Sequence, residues 1–165
     1  MKKTILTFGA VIGVLLAVHA IIMVNIIYTN PDFKGNDVIG YTKLIVMFSL
    51  IYFGVRNYRN NYLNGKIGFL KAFKTGAIIC FIASTVYTVL GLLHYYIFVP
   101  DFVDVFTEHV IRNSAPEEVE AKTEQMAYFK ELYKNPLFAI LITYLEVLPV
   151  GMVVALFSAL FVKKK

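Results

Sequence analysis

Four apolar stretches separated by polar segments dominate the chain. Each can cross a bilayer as a helix, which takes roughly 20 residues for about 30 Å of hydrocarbon. We predict helices over about 4–27, 38–55, 70–98 and 137–162. A soluble chain of 165 residues could not bury four such stretches in one core. The pattern therefore predicts an all-α integral membrane protein, a single domain over 1–165, whose four transmembrane helices form two hairpins.

The substantial polar segment covers residues 99–136 and carries more acidic than basic residues. Its apolar positions recur at helical spacing after residue 118. Ser114-Ala-Pro-Glu117 has the pattern of a capping box, and Asn135-Pro136 has the pattern of a helix stop. We therefore predict one or two amphipathic helices in this segment, lying on the membrane or covering one end of the bundle.

A basic segment without Asp or Glu lies midway along the chain, and its five Lys and Arg residues are Arg56, Arg59, Lys66, Lys71 and Lys74. Short basic loops stay on the cytoplasmic side of a membrane. The pattern therefore predicts that the N and C termini, which are also basic, are cytoplasmic. The same five residues are candidates for binding anionic lipid or a protein partner.

The net charge of +5 changes this picture little. Most basic residues lie at helix ends, as topology signals do, so we predict contact with the lipid bilayer and no nucleic-acid partner. The single cysteine, Cys80, lies in an apolar stretch and offers neither a disulfide nor a CxxC motif.

The N-terminus resembles a secretory signal peptide, with a basic start and a small residue at Ala20. The apolar stretch continues to Ile27, longer than the usual h-region of about 7–15 residues. We interpret it as a retained first helix, and cleavage after Ala20 is the alternative.

Small residues recur every four positions in three of the apolar stretches. Such ladders allow helices to approach closely in lipid. The predicted packing residues are Gly9, Gly13, Gly76, Ser84, Gly151 and Ala155. We expect the Gly151–Ala155 ladder to pack against the first helix, and ladders of this kind also suit a homo-oligomer or a membrane-protein partner.

Glu146 is the acidic residue within the apolar stretches, about ten residues into the last helix. Charge at this depth is costly and often marks an ion or proton pathway. Pro149 follows and frees the carbonyl of Leu145. Lys43 lies about 8 Å into the second helix. Two alternatives stay open: a functional acid, or a structural one that is hydrogen-bonded in the bundle or paired with Lys43. Lys43 itself either extends to the interface or forms that buried pair.

No cofactor or metal site is predicted. His19 and His94 lie at different depths, and no carboxylate is spaced to assist either one. Asp101, Asp104 and Glu108 share a helical face, which is more typical of a solvated stripe than of a cation site. We find no catalytic residue, and we expect no set of polar side chains to converge at one depth of the membrane.

The central segment and the last helix resemble a known family. The order FGVRNYRN, NGKIGFLKAFKTG, YKNP and EVLPVGMVVALFSALFVKKK resembles bacterial four-helix membrane proteins of a domain of unknown function, typical of Bacteroidota. The resemblance covers nearly the whole chain and implies an inner-membrane protein, without an activity or a catalytic residue. The residues that match its recurring features are Gly65, Phe69, Phe73, Gly76, Glu146, Pro149 and Gly151.

Two functional hypotheses remain at this point. The first is a non-enzymatic accessory component that assembles with itself or a partner in an envelope or lipid-linked process. The alternative is a small oligomeric transporter or channel subunit that uses Glu146. A membrane enzyme is the least favoured class, because no nucleophile, base or metal set is apparent.

Overall fold

The apolar stretches form long helices, and the fold is all-helical. The structure, a computed structural model, describes residues 2–164, so Met1 and the predicted basic residue Lys165 lie outside the described residues. The helices are α1 (Lys2–Thr29), α2 (Asp37–Phe48), α3 (Leu50–Tyr62), α4 (Phe69–Phe98), α5 (Phe102–Arg112), α6 (Val119–Tyr133) and α7 (Pro136–Val162), with a 3₁₀ turn at Pro116–Glu118. Within this range no strand forms, although Ile67 and Lys164 make an isolated β-bridge.

Four helical segments are long and apolar enough to cross a membrane. They are Lys3–Thr29, Val38–Tyr62, Phe69–Phe98 and Pro136–Val162. The second is α2 and α3 together, interrupted only at Ser49. The prediction of an all-α protein with four membrane-spanning segments is confirmed.

The second span is longer than predicted, because its helix continues past Val55 to Tyr62. Charged residues and asparagines do not end a helix by themselves, and the helix ends where the backbone turns into the left-handed region. Asn64 has φ 50° and Gly65 has φ 78°, a conformation that glycine adopts without steric cost. The basic segment is therefore mostly helical, with Arg56 and Arg59 on α3 and only Lys66 in the connecting loop.

Helix α4 lies at the centre of the bundle and packs against both α1 and α7. Its small residues Ala72, Gly76, Cys80, Ser84 and Thr88 are all buried. A Cβ atom on Gly13 would lie 2.6 Å from the Ala83 carbonyl oxygen, so α1 and α4 are in backbone contact there. A Cβ on Gly9 would lie 2.6 Å from Ile82 Cγ2.

The Gly151–Ala155 ladder packs against α4 and α2, not against α1 as expected. A Cβ on Gly151 would lie 2.4 Å from Cys80 Sγ and 2.7 Å from Phe48 Cε1. Ala155 faces Gly76 of α4, where a Cβ would lie 3.1 Å from Ala155 Cβ. The expectation failed because α4 has two small-residue contacts and separates α1 from α7.

The two ends of the bundle differ. At one end, which we call the basic end, the start of α1, the loop 63–68 and the end of α7 meet. Thr4 Oγ1 donates to Tyr62 Oη at 3.4 Å. Ile67 and Lys164 exchange two backbone hydrogen bonds of 2.9 Å. The beginning and the end of the described chain therefore lie at the same end of the bundle.

The opposite end, which we call the capped end, is covered by α5 and α6. Tyr28 Oη donates to Asp101 Oδ1 at 2.8 Å, and Arg112 pairs with Asp32 at 2.8 Å. Lys130 of α6 pairs with Asp104 of α5. Two helices, α5 and α6, therefore form in the segment predicted to hold one or two.

The predicted capping box does not form. Ser114 Oγ donates backwards to the Val110 carbonyl oxygen at 2.7 Å, and Ala115 precedes the 3₁₀ turn without a side-chain cap. Asn135 instead caps α7, since its Oδ1 accepts from Leu137 N at 3.0 Å. Pro136 occupies the first turn of α7, where its missing N–H is not needed.

Candidate functional site

Glu146 lies on α7, ten residues and about 15 Å from the first residue of this helix. Its partner is Tyr87 of α4, whose hydroxyl donates to Glu146 Oε2 at 3.1 Å. Tyr87 is only 7% exposed, so this hydrogen bond is inside the bundle. Antiparallel packing of α4 on α7 brings the two residues together.

Glu146 also lines a cavity of about 760 Å³ between the helices at the capped end. We call it the interhelical cavity. Its walls come from α1, α2 and α4, with α5 and α6 above and Thr143 and Glu146 of α7 at one side. Glu146 is exposed and lines this cavity. A volume of this size is typical of small-molecule sites.

Lys43 lines the same cavity from α2. In the described part of the chain, Lys43 and Glu146 form no ion pair, and the Lys43 side chain is exposed. Lys34 lines the cavity as well, so its wall carries one carboxyl group and two ammonium groups, and in the described residues neither ammonium group forms an ion pair with Glu146. The alternative of a Lys43–Glu146 pair is wrong for this structure.

His19, His94, Tyr95 and Tyr133 line the cavity as well. Polar side chains from three helices, which no sequence pattern grouped, therefore share one cavity. The sequence did contain a signal: these positions and Glu146 all lie in the halves of their helices nearest the capped end. Depth alone does not say which helix faces point at each other, and that information came only with the fold.

Tyr133 of α6 lies at the boundary between the cap and the cavity. Burial raises the pKa of the Tyr133 phenol, whereas a hydrogen bond with Thr143 acts in the opposite direction. Tyr133 also packs edge-on against Tyr95, with ring centroids 6.0 Å apart. The cap and the span α4 are thereby joined directly above the cavity.

The remaining surface of the cavity is largely apolar. Phe33 precedes α2, and Phe102 and Phe106 belong to α5. Apolar walls with a few convergent polar groups are the usual composition of a ligand site. The arrangement can bind a molecule through one carboxyl, two ammonium groups, two imidazoles and several hydroxyl groups.

Pro149 lies one turn beyond Glu146 and is exposed on the outer surface of α7. It has no N–H to bond with the Leu145 carbonyl. Pro149 does not line the interhelical cavity, so its connection with Glu146 is through the helix backbone.

Among residues 2–164, no group of three His, Cys, Asp or Glu side chains is placed to hold a metal ion. The acidic stripe on α5 is used in fixing the cap, because Asp101 accepts from Tyr28 and Asp104 pairs with Lys130. That ion pair also raises the pKa of Lys130.

The predicted basic residues are gathered at the basic end but have different environments. The Arg59 guanidinium is already hydrogen-bonded within the protein, since its Nη1 donates to the Val162 carbonyl oxygen at 2.9 Å. Lys71 and Lys74 are exposed on the first turns of α4, and Lys66 is exposed in the loop. Arg56 lines a small groove between α1 and α3.

No curated protein and no solved structure matches this chain. A family model does match, over residues 7–164, which is nearly the whole chain and includes both ends of the bundle. The chain therefore belongs to the family described as "Protein of unknown function (DUF4199)".

Proposed function

We propose that this protein is a small membrane transporter or channel subunit that takes up a cation, a proton or a small cationic solute in the interhelical cavity, with Glu146 as the recognition group. The observation that supports this proposal is the accessible Glu146 carboxyl on the cavity wall, held by Tyr87. A polar group kept inside the membrane is costly, and its usual compensation is a role in a pathway.

The geometry also weakens the accessory-component hypothesis. The small-residue ladders motivated assembly with another chain, but Gly9, Gly13 and Gly151 face helices of the same chain. Their close contacts are therefore already occupied. The basic end, by contrast, still favours a lipid-facing or partner-facing role.

We propose further that the protein is in a bacterial inner membrane, with its basic end and both termini in the cytoplasm. The distribution of basic residues supports this orientation, because ten of the 16 Lys and Arg residues lie within 2–3, 56–74 and 163–165. The cavity then opens towards the outer half of the membrane. The cavity occupies only this half of the bundle, so a complete pathway would require a second conformation or a homo-oligomer.

The test is flux in liposomes that contain the purified protein. Proton and monovalent-cation flux is measured with entrapped dyes for the wild type, Glu146→Gln and Glu124→Gln. Glu124 is a matched control, because it is an exposed acid on α6 outside the cavity. We expect Glu146→Gln to reduce flux to the level of empty liposomes and Glu124→Gln to leave it unchanged.

Two results would contradict the proposal. Wild-type flux equal to that of empty liposomes, for every cation tried, would reject transport. Flux that persists in Glu146→Gln would reject the role of this carboxyl. A folded Glu146→Gln protein is verified by its elution as a single species in size-exclusion chromatography.

A further inference from the structure

A second site lies at the basic end, on the lipid-facing side of the second span. Phe53, Arg56, Asn57 and Asn60 occupy positions i, i+3, i+4 and i+7 of α3, so they form one stripe. Phe8 of α1 faces this stripe and completes a groove of about 350 Å³. We call it the α1–α3 groove. Gly54 allows the two helices to approach here, since a Cβ would lie 3.0 Å from Phe8 Cγ.

The two asparagines of the groove are oriented by their neighbours. Asn57 Oδ1 accepts from Asn61 Nδ2 at 3.0 Å, and Asn60 Oδ1 accepts from Arg59 Nε at 2.9 Å. Both amide oxygens are therefore engaged. The amide NH₂ groups remain as hydrogen-bond donors for a molecule in the groove.

Arg56 adds a positive charge to these donors. In the described part of the chain its guanidinium makes no hydrogen bond and no ion pair, and its side chain is exposed. Arg59, one turn along the same helix, is instead bonded to the Val162 carbonyl. The α1–α3 groove therefore presents one free guanidinium and two amide donors without an acidic residue, which is the chemistry of an anion site.

The depth of the groove selects the kind of anion. The span Val38–Tyr62 has 25 residues. A helix of that length rises about 37 Å, which exceeds a hydrocarbon core of about 30 Å. The last turn of α3, which carries Asn60, therefore reaches the headgroup layer, and the long Arg56 side chain can extend to it from the turn before. Phe53 lies about one turn deeper and is 51% exposed, at the level of acyl chains.

We propose that the α1–α3 groove binds the phosphate of an anionic phospholipid. Arg56 forms a bidentate pair with the phosphate oxygens, and the amides of Asn57 and Asn60 donate to the same group. Phe8 and Phe53 contact the first part of an acyl chain. This site is separate from the interhelical cavity, so it stands or fails independently of transport.

The test is native mass spectrometry of the full-length protein in detergent, titrated with phosphatidylglycerol or phosphatidylcholine. Both lipids carry a phosphate, but the choline ammonium of phosphatidylcholine leaves its headgroup without net charge. We therefore expect a preference for phosphatidylglycerol of about tenfold, because its headgroup alone is a net anion for Arg56 to neutralise. Arg56→Gln should abolish the preference, and Arg56→Lys should retain part of it because an ammonium cannot pair bidentately. Both variants should fold, since the side chain is exposed and unpartnered.

Lys74→Gln is the matched control. It removes one positive charge at the same end of the bundle, from an exposed residue outside the groove. We expect its preference for phosphatidylglycerol to equal that of the wild type. An equal loss in Lys74→Gln and Arg56→Gln would overturn the proposal, because binding would then depend on general surface charge.

Inorganic phosphate provides the second arm of the test. A site that requires an acyl chain beside the phosphate should not release phosphatidylglycerol when millimolar phosphate is added. Full displacement by inorganic phosphate would overturn the assignment to a phospholipid and identify a simple phosphate site. A preference that survives in Arg56→Gln would overturn it as well.

Discussion

The two ends of this bundle are built in opposite ways. From the middle of the bundle towards the basic end, α1, α4 and α7 approach closely through glycine and alanine. At the basic end itself, the loop 63–68 is joined to the end of α7 by two backbone hydrogen bonds. At the capped end the helices separate around a cavity, and mainly side-chain contacts hold α5 and α6 above it. The comparison indicates a rigid half that positions the helices and an open half that can accommodate a ligand.

If this comparison is correct, substitutions in the close contacts should have the largest effects. Gly13→Ala places a methyl group 2.6 Å from the Ala83 carbonyl oxygen, a backbone atom that cannot rotate away. We expect a loss of about 1–3 kcal/mol in the free energy of unfolding, as for other overpacked sites. Gly91→Ala is the control, since a Cβ there meets nothing within 4 Å. Reversible unfolding in detergent and SDS measures the free energy of unfolding of both variants. Equal values for the two would contradict the conclusion that the close contacts make this half rigid.

Loss of the Tyr87–Glu146 hydrogen bond should have the next largest effect on stability, because this bond connects the two halves inside the bundle. Tyr87→Phe leaves the carboxyl without its protein donor, and we expect a cost of about 1–3 kcal/mol. A double-mutant cycle with Glu146→Ala, which removes the acceptor, separates this bond from general packing. A coupling free energy of zero would show that the bond does not contribute to stability.

Alkaline pH should destabilise the capped end through Tyr133. Its pKa is raised in the folded protein, chiefly by burial, so above its unfolded pKa of about 10 the unfolded state loses the proton first. Stability should therefore fall as the pH rises from about 10 towards the folded pKa. Thermal unfolding at about pH 9.5 and pH 11 should show a smaller decrease for Tyr133→Phe than for the wild type. Parallel decreases would mean that other groups account for the effect.

Loss of the exposed Arg112–Asp32 ion pair of the cap should have the smallest effect on stability. Arg112 and Asp32 are 60% and 74% exposed, and such pairs contribute about 0–1 kcal/mol. Arg112→Gln should therefore lower stability by less than about 1 kcal/mol, and the difference should vanish at high salt. A larger decrease that persists in high salt would show that the cap depends on this contact more than its exposure implies.

The four spans could be predicted from the sequence because length and hydropathy determine them locally. The end of α3 could not be predicted from charge, since Arg56 and Arg59 continue the helix and the left-handed residues Asn64 and Gly65 end it. Charge placement is a signal of membrane orientation, whereas helix ends depend on backbone geometry. The basic residues Arg56 and Arg59 therefore do not mark the end of α3.

The candidate site was predicted in part. Glu146 could be singled out because an acid in an apolar helix is costly wherever it points. Its neighbours could not be predicted, since Tyr87 lies on another helix and 59 positions away from Glu146 in the sequence. The donor character of the α1–α3 groove was also hidden, because it depends on which way the amides of Asn57 and Asn60 are turned.

The contact between α1 and α4 also constrains how this sequence can diverge. A methyl group at position 13 meets a carbonyl oxygen, which no substitution in α4 can remove, so glycine should be retained there in relatives of this fold. At position 9 the obstacle is the side chain of Ile82. Because Ile82 Cβ itself would lie 2.7 Å from that methyl group, lineages that acquire alanine at position 9 should carry glycine at position 82.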